Sequence, residues 1–215
     1  MPNYRRPADI GLCYFITTNT IDRRPLFIDP RVCRILVDNL RFYRDRGDFL
    51  LHAYVIMPEH LHLVITTVNV NVSGVMRNLK SHTAKDIREC LGCDGPVWQE
   101  RFHDRGIRGM PQFRAMVEYV HENPVKARLV DVAADWEFSS AGVIMEGRRG
   151  PLDVDALDGA TVGSLGVGAG PRPTEWRRGT GAGIQALTKS PKQTLLPCKS
   201  VFNLCNLWPY NRRDD

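Results

Sequence analysis

Two histidines one residue apart, His60 and His62, are the sharpest chemical feature of the chain. They open a run of β-branched and apolar residues, His60 to Thr67, that suits a strand. On a strand alternate side chains share a face, so both imidazoles point one way while Leu61, Leu63 and Ile65 point into the opposite layer. The strand rise puts the two rings about 6–7 Å apart along the chain. Both can then reach one cation as neutral imidazole ligands. Two imidazoles leave such a site under-coordinated, so a third protein donor or a substrate oxygen is required. The same local pattern also describes two histidines on a solvated strand face.

Tyr119 and Asn123 form a second pair, four residues apart near the end of an expected helix, so they can share a face. Tyr119 lies off the centre of the stripe formed by Phe113, Met116, Val117 and Val120, at the edge of the packing. A phenol can attack phosphorus and give a covalent intermediate. With an ordinary pKa of about 10 it needs a metal or cationic neighbour. An amphipathic tyrosine at a core boundary is the competing reading. Asn123 precedes Pro124, which predicts a break there, with Asn123 as cap of a further short helix through Leu129. Capping and metal binding would compete for its side-chain oxygen.

Cys90 and Cys93 make a C-x-x-C, but no second pair stands at a matching distance, although His82 and His103 could supply ligands in principle. A zinc-binding regulator built on them is a third, distinct reading. No phosphate-cradling G-x-x-x-x-G-K-[ST] occurs, so ATP use is not indicated.

The elements that must position these residues alternate. Gly11 to Thr18 suits a strand. Asp29 and Pro30 open a helix as cap and first residue, and Gly47 stops it. Phe49 to Met57 and His60 to Thr67 read as strands joined by Pro58-Glu59, which is not a favoured two-residue turn pair. A helix over Val72 to Leu91 ends at Gly92, Asp104 to Arg108 suits a short strand, and a helix runs from Pro111 to about Glu122. The hairpin implies an antiparallel sheet with packed helices, an α+β sandwich.

The net charge of +5 permits a polyanionic partner, but no dense basic block demands one. No continuous apolar run reaches transmembrane length and no signal peptide is evident, so a cytoplasmic protein is expected. Residues 158–193 are rich in Gly and Pro and read as a linker, and 194–215 as a tail of unknown role. That leaves 1–157 as the folded domain.

The blocks around these residues give them a common context. Tyr54-Val55-Ile56-Met57-Pro58-Glu59-His60-Leu61-His62-Leu63-Val64 resembles the HUH signature of single-tyrosine, IS200-like transposases. The branch it is most similar to is the REP-associated tyrosine transposases. The likeness continues through Val97-Trp98-Gln99-Glu100-Arg101-Phe102-His103-Asp104-Arg105 and Tyr119 to Val130, in the same order. The resemblance implies a ferredoxin-like HUH endonuclease fold with the nucleophile on a C-terminal helix. It implies His60, His62 and Asn123 as ligands of Mg2+ or Mn2+, and Tyr119 as nucleophile, leaving a 5′-phosphotyrosine and a free 3′-hydroxyl. The implied partner is single-stranded DNA with palindromic, REP-like hairpins, bound by a nucleoid-associated monomer or homodimer. Lys80, Arg101, His103, Arg105, Lys126 and Arg128 are the candidate DNA contacts. A catalytically idle DNA-binding protein on the same fold is the alternative. One departure stands out: the branch pattern has glycine where this chain has Arg128.

Overall fold

The structure, a computed structural model, describes residues 10–156; the expectations for 158–193 and 194–215 lie outside them. Four strands, β1 (Cys13–Asn19), β2 (Phe49–Met57), β3 (His60–Thr67) and β4 (His103–Gly106), form one sheet in the order β2-β3-β1-β4. Every neighbouring pair is antiparallel. Helices α1 (Pro30–Asp45) and α2 (Val72–Leu91) connect β1 to β2 and β3 to β4. This is the antiparallel sheet with packed helices expected from the hairpin, in the split βαβ, ferredoxin-like topology that the resemblance implies. To it are added α3 (Met110–Lys126) and a short α4 (Ala141–Glu146).

Local chemistry accounts for most boundaries. The Asp29 side chain accepts from Arg31 N at the start of α1, with Pro30 in the first turn. Asn71 does the same for Gly74 N at α2, and Gly92 ends α2 in the left-handed region. The Pro58-Glu59 turn succeeds without a favoured turn pair because neighbouring segments hold both its carbonyls. Phe27 N donates to Pro58 O, and Thr20 N to Glu59 O.

Alternation then divides the sheet into two faces. Leu61, Leu63 and Ile65 are wholly buried, as is Ile16 on β1, and Tyr14 is nearly so. They belong to the layer under α1 and α2. The other face carries Cys13, Val64, Ala53, Val55 and Met57, packed with Val120 of α3 and flanked by Phe113, Met116 and Val117. A β-bulge at His52 sets this division on β2. Leu51 pairs with Ile65, but Ala53 pairs with Val64, so parity flips across one inserted residue.

Two expectations are corrected. The fourth strand is His103–Gly106 rather than 104–108, and α3 does not break at Asn123 but continues through Pro124 to Lys126. Pro124 is buried in the last turn of α3, where few intrahelical bonds remain to be lost. The chain then closes with Leu129 N on Pro124 O and Arg128 N on Val125 O, a Schellman stop. Leu129 packs on the α3-side core. Asn123 therefore caps no further helix.

Candidate active site

The site is the end of the sheet that α3 leaves partly uncovered. β3 places His60 and His62 on the α3 face, as the alternation predicts, with ring centroids 4.6 Å apart. The Phe15 ring stacks on His62 at 5.3 Å. α3 brings Tyr119 against the same ring, 5.6 Å between centroids, and against Phe15 at the same separation. Tyr119 nevertheless stays 40% exposed, so its ring is held while part of the residue remains reachable.

Asn123 joins them. Its side chain hydrogen-bonds the His62 imidazole. Its amide nitrogen also donates to Tyr119 O at 2.6 Å. The position that the sequence leaves open between cap and ligand is thus turned toward the histidines.

The rings are oriented from behind. Thr17 Oγ1 lies 2.8 Å from His62 Nδ1, and Glu59 Oε1 lies 3.1 Å from His60 Nδ1. With both Nδ1 atoms engaged, His60 Nε2 is left for the site, and His62 Nε2 is the nitrogen that meets Asn123. Burial, and then the neighbouring His60, push the His62 pKa down to about 3, so His62 is neutral near pH 7. The hydrogen bond with His60 holds Glu59 below the usual carboxylate range, against its own burial. Two anchored imidazoles and an amide oxygen are a donor set that suits a divalent cation with further positions left to substrate or water.

Sequence reasoning missed Thr17, Glu59 and Phe15. Glu59 was visible only as the neighbour of His60. Thr17 and Phe15 enter through strand register, because β1 pairs Thr17 with His62 and Phe15 with Val64.

The basic candidates separate by position. On β4, His103 pairs with Thr17 and Arg105 with Phe15, so both are exposed on the site face, one strand beyond the histidines. Arg101 is exposed in the preceding segment. Lys126 Nζ sits 5.3 Å from the Tyr119 ring centroid, a cation–π contact. Arg128 is exposed at the end of α3 with φ +57, a left-handed conformation that favours glycine. That gives the departure at this position a physical meaning: the Schellman stop asks for glycine and this chain places arginine there. Lys80 is different. Its ammonium donates to Gln99 O and Glu100 O, and burial lowers its pKa. It anchors the 97–101 segment, whose Trp98 is buried with its indole N–H on Thr83 Oγ1.

Cys90 lies in the last turn of α2 and Cys93 two residues beyond its end. Among the described residues no group of three or more His, Cys, Asp or Glu side chains could hold a metal ion together, so His82 and His103 do not complete a site with them. Nor is any described helix long and apolar enough to cross a membrane.

The family model described as "Transposase IS200 like" matches residues 10–123. The chain is similar to the REP-associated tyrosine transposase of Escherichia coli (strain K12), with 31% identity over 142 residues, covering 65% of this chain and 82% of the relative. Among solved structures it matches a REP-associated tyrosine transposase bound to a REP hairpin. That match has a TM-score of 0.55 and 29% identity, and covers 74% of this chain and 94% of the other.

Proposed function

Starting from the fact that the chain belongs to the IS200-like transposase family, we propose that it nicks and rejoins single-stranded, hairpin-bearing DNA with Tyr119 as nucleophile. The observation that carries this reading is the convergence of Tyr119 and Asn123 on His62, beside His60.

In this reading His60, His62 and Asn123 hold a divalent cation, Mg2+ or Mn2+. When bound, it polarises the scissile phosphate and offsets charge developing on its oxygens. Phe15 and the His62 ring fix the Tyr119 ring beside that phosphate. The Tyr119 oxygen bonds to phosphorus as the bond from phosphorus to O3′ breaks. The phenol proton passes to solvent and the departing 3′ oxygen takes one up. The products are a 5′-phosphotyrosine and a free 3′-hydroxyl, which can attack in reverse, so no ATP is consumed. His103, Arg105, Arg101, Lys126 and Arg128 surround the site and suit backbone contacts to a folded single strand, which position the DNA without reading its sequence. The likeness to a protein bound to a REP hairpin supports a hairpin as the DNA partner.

The test is a covalent adduct. Full-length protein incubated with Mn2+ and labelled single strands carrying REP-like hairpins is expected to yield a protein–DNA species on a denaturing gel. Tyr119→Phe is expected to abolish it. Hairpin binding with no adduct from the unaltered protein would instead establish an idle DNA-binding protein. An adduct surviving in Tyr119→Phe would assign the nucleophile elsewhere.

A further inference from the structure

The His60, His62 and Asn123 donor set carries no negative charge of its own, which is an unusual way to retain a hard divalent cation. One carboxylate touches it from behind. Glu59 Oε1 lies 3.1 Å from His60 Nδ1, and the two side chains are 26% and 12% exposed. We propose that Glu59 is a positioning residue for the cation site: its carboxylate accepts the Nδ1 proton of His60, turns Nε2 toward the cation, and supplies the charge that the donor set lacks. This rests on the reading of His60, His62 and Asn123 as ligands.

The chemistry of the contact fixes the tautomer. An ionised carboxylate only accepts, so the His60 proton resides on Nδ1 and the Nε2 lone pair is free. A carboxylate behind a ligating histidine orients the ring and raises its basicity toward a metal. Glu59 is itself held. Its carbonyl accepts from Thr20 N at 2.9 Å and Thr20 Oγ1 at 3.0 Å, pinning the turn to the end of β1. The neighbouring cation does not cancel its charge. Arg23 Nη2 stands 3.7 Å from Oε1, beyond hydrogen-bond distance, on a side chain 61% exposed to water. His62 is anchored differently, by the neutral hydroxyl of Thr17. The pair is therefore asymmetric, with the charge behind His60.

The experiment titrates Mn2+ into the full-length protein without DNA, reading free Mn2+ by electron paramagnetic resonance. Glu59→Gln keeps the size and an acceptor oxygen but removes the charge. It is expected to weaken Mn2+ binding by about 10-fold or more, with an unchanged melting temperature, while Glu59→Asp restores part of the affinity. Imidazole nitrogen NMR of the metal-free protein is expected to show His60 protonated at Nδ1. Equal Mn2+ affinity in Glu59→Gln, with affinity lost in His60→Ala, would overturn the role of Glu59 and leave the ligand reading intact. Undiminished Mn2+ binding in His60→Ala would overturn both. An Nε2-protonated His60 in the unaltered protein would overturn the proposal whatever the variants do.

Discussion

On one face of the sheet Tyr14, Ile16, Leu61, Leu63 and Ile65 are buried under two helices; on the other, Phe15, Thr17 and Asn19 of the same β1 strand stay partly open beside one helix. The two-helix face is apolar and closed. The α3 face is apolar only toward the Cys13, Val64 and Ala53 end, and at its other end it exchanges packing for His60, His62, Tyr119 and Asn123. It also holds the histidines whose basicity is depressed: His62, His52 against Phe113 of α3, and His121 on α3 itself. One face supplies rigidity to a strand whose other face carries the proposed site. Leu61 and Leu63 do this directly, since each is locked between layers and so fixes the backbone that aims the histidines.

The sharpest contrast between the faces is expected from two substitutions. Tyr119→Phe removes an oxygen from a half-exposed side chain, so it should cut adduct formation by at least about 10^3-fold and leave the melting temperature unchanged. Leu63→Ala empties a wholly buried site and should cost about 2–5 kcal/mol, read by denaturant unfolding. If Tyr119→Phe destabilised as much as Leu63→Ala, the division into a chemical and a structural face would fail.

Acid should then separate the faces. His62 and His121 have folded-state pKa values pushed by burial from 6.5 down to about 3 and about 4, and burial also lowers His52. The unfolded chain therefore takes up protons first. This contribution to stability is complete above about pH 6.5. It erodes as pH falls, ending near pH 4 for His121 and pH 3 for His62. Hydrogen exchange between pH 7 and pH 5 is expected to show α3 losing protection before α2. Uniform loss in both helices would contradict the assignment of these buried bases to the α3 face.

The smallest effect lies at the end of α3. Arg128 adopts a left-handed conformation that costs a non-glycine residue about 1–2 kcal/mol. Part of that is returned in Arg128→Gly by the greater freedom of glycine in the unfolded chain. A net gain of about 0.5–1 kcal/mol is expected in thermal or denaturant unfolding. If hairpin affinity falls in the same variant, the arginine is held there for DNA at a cost in stability. A loss of stability would mean that the side chain makes a compensating contact.

Patterns with a local cause were legible. The caps at Asp29 and Gly92, the strand bounds of β2 and β3, and the shared face of His60 and His62 follow from neighbours in the chain. The break expected at Asn123 is also a local inference, and it fails because burial of Pro124 and packing of Leu129 on the α3-side core outweigh the local preference of a residue before proline. The bulge at His52 was invisible for a related reason. Its ring is held by Thr66 Oγ1 and Asp155 O, from another strand and from a segment about a hundred residues later.

By itself, then, the sequence determined which residues could do chemistry and on which elements they sit, because strand and helix periodicities are local. It did not determine that Tyr119 and Asn123 meet His62, that Thr17 and Glu59 set which nitrogens face the site, or that Lys80 is spent on the carbonyls of Gln99 and Glu100. Those depend on strand register and on where α3 crosses the sheet, which are fixed by burial and hydrogen bonding between segments far apart in the chain. For Asn123 the tertiary structure removed the cap: α3 runs on through Pro124, leaves no helix start to cap, and turns the side chain toward His62.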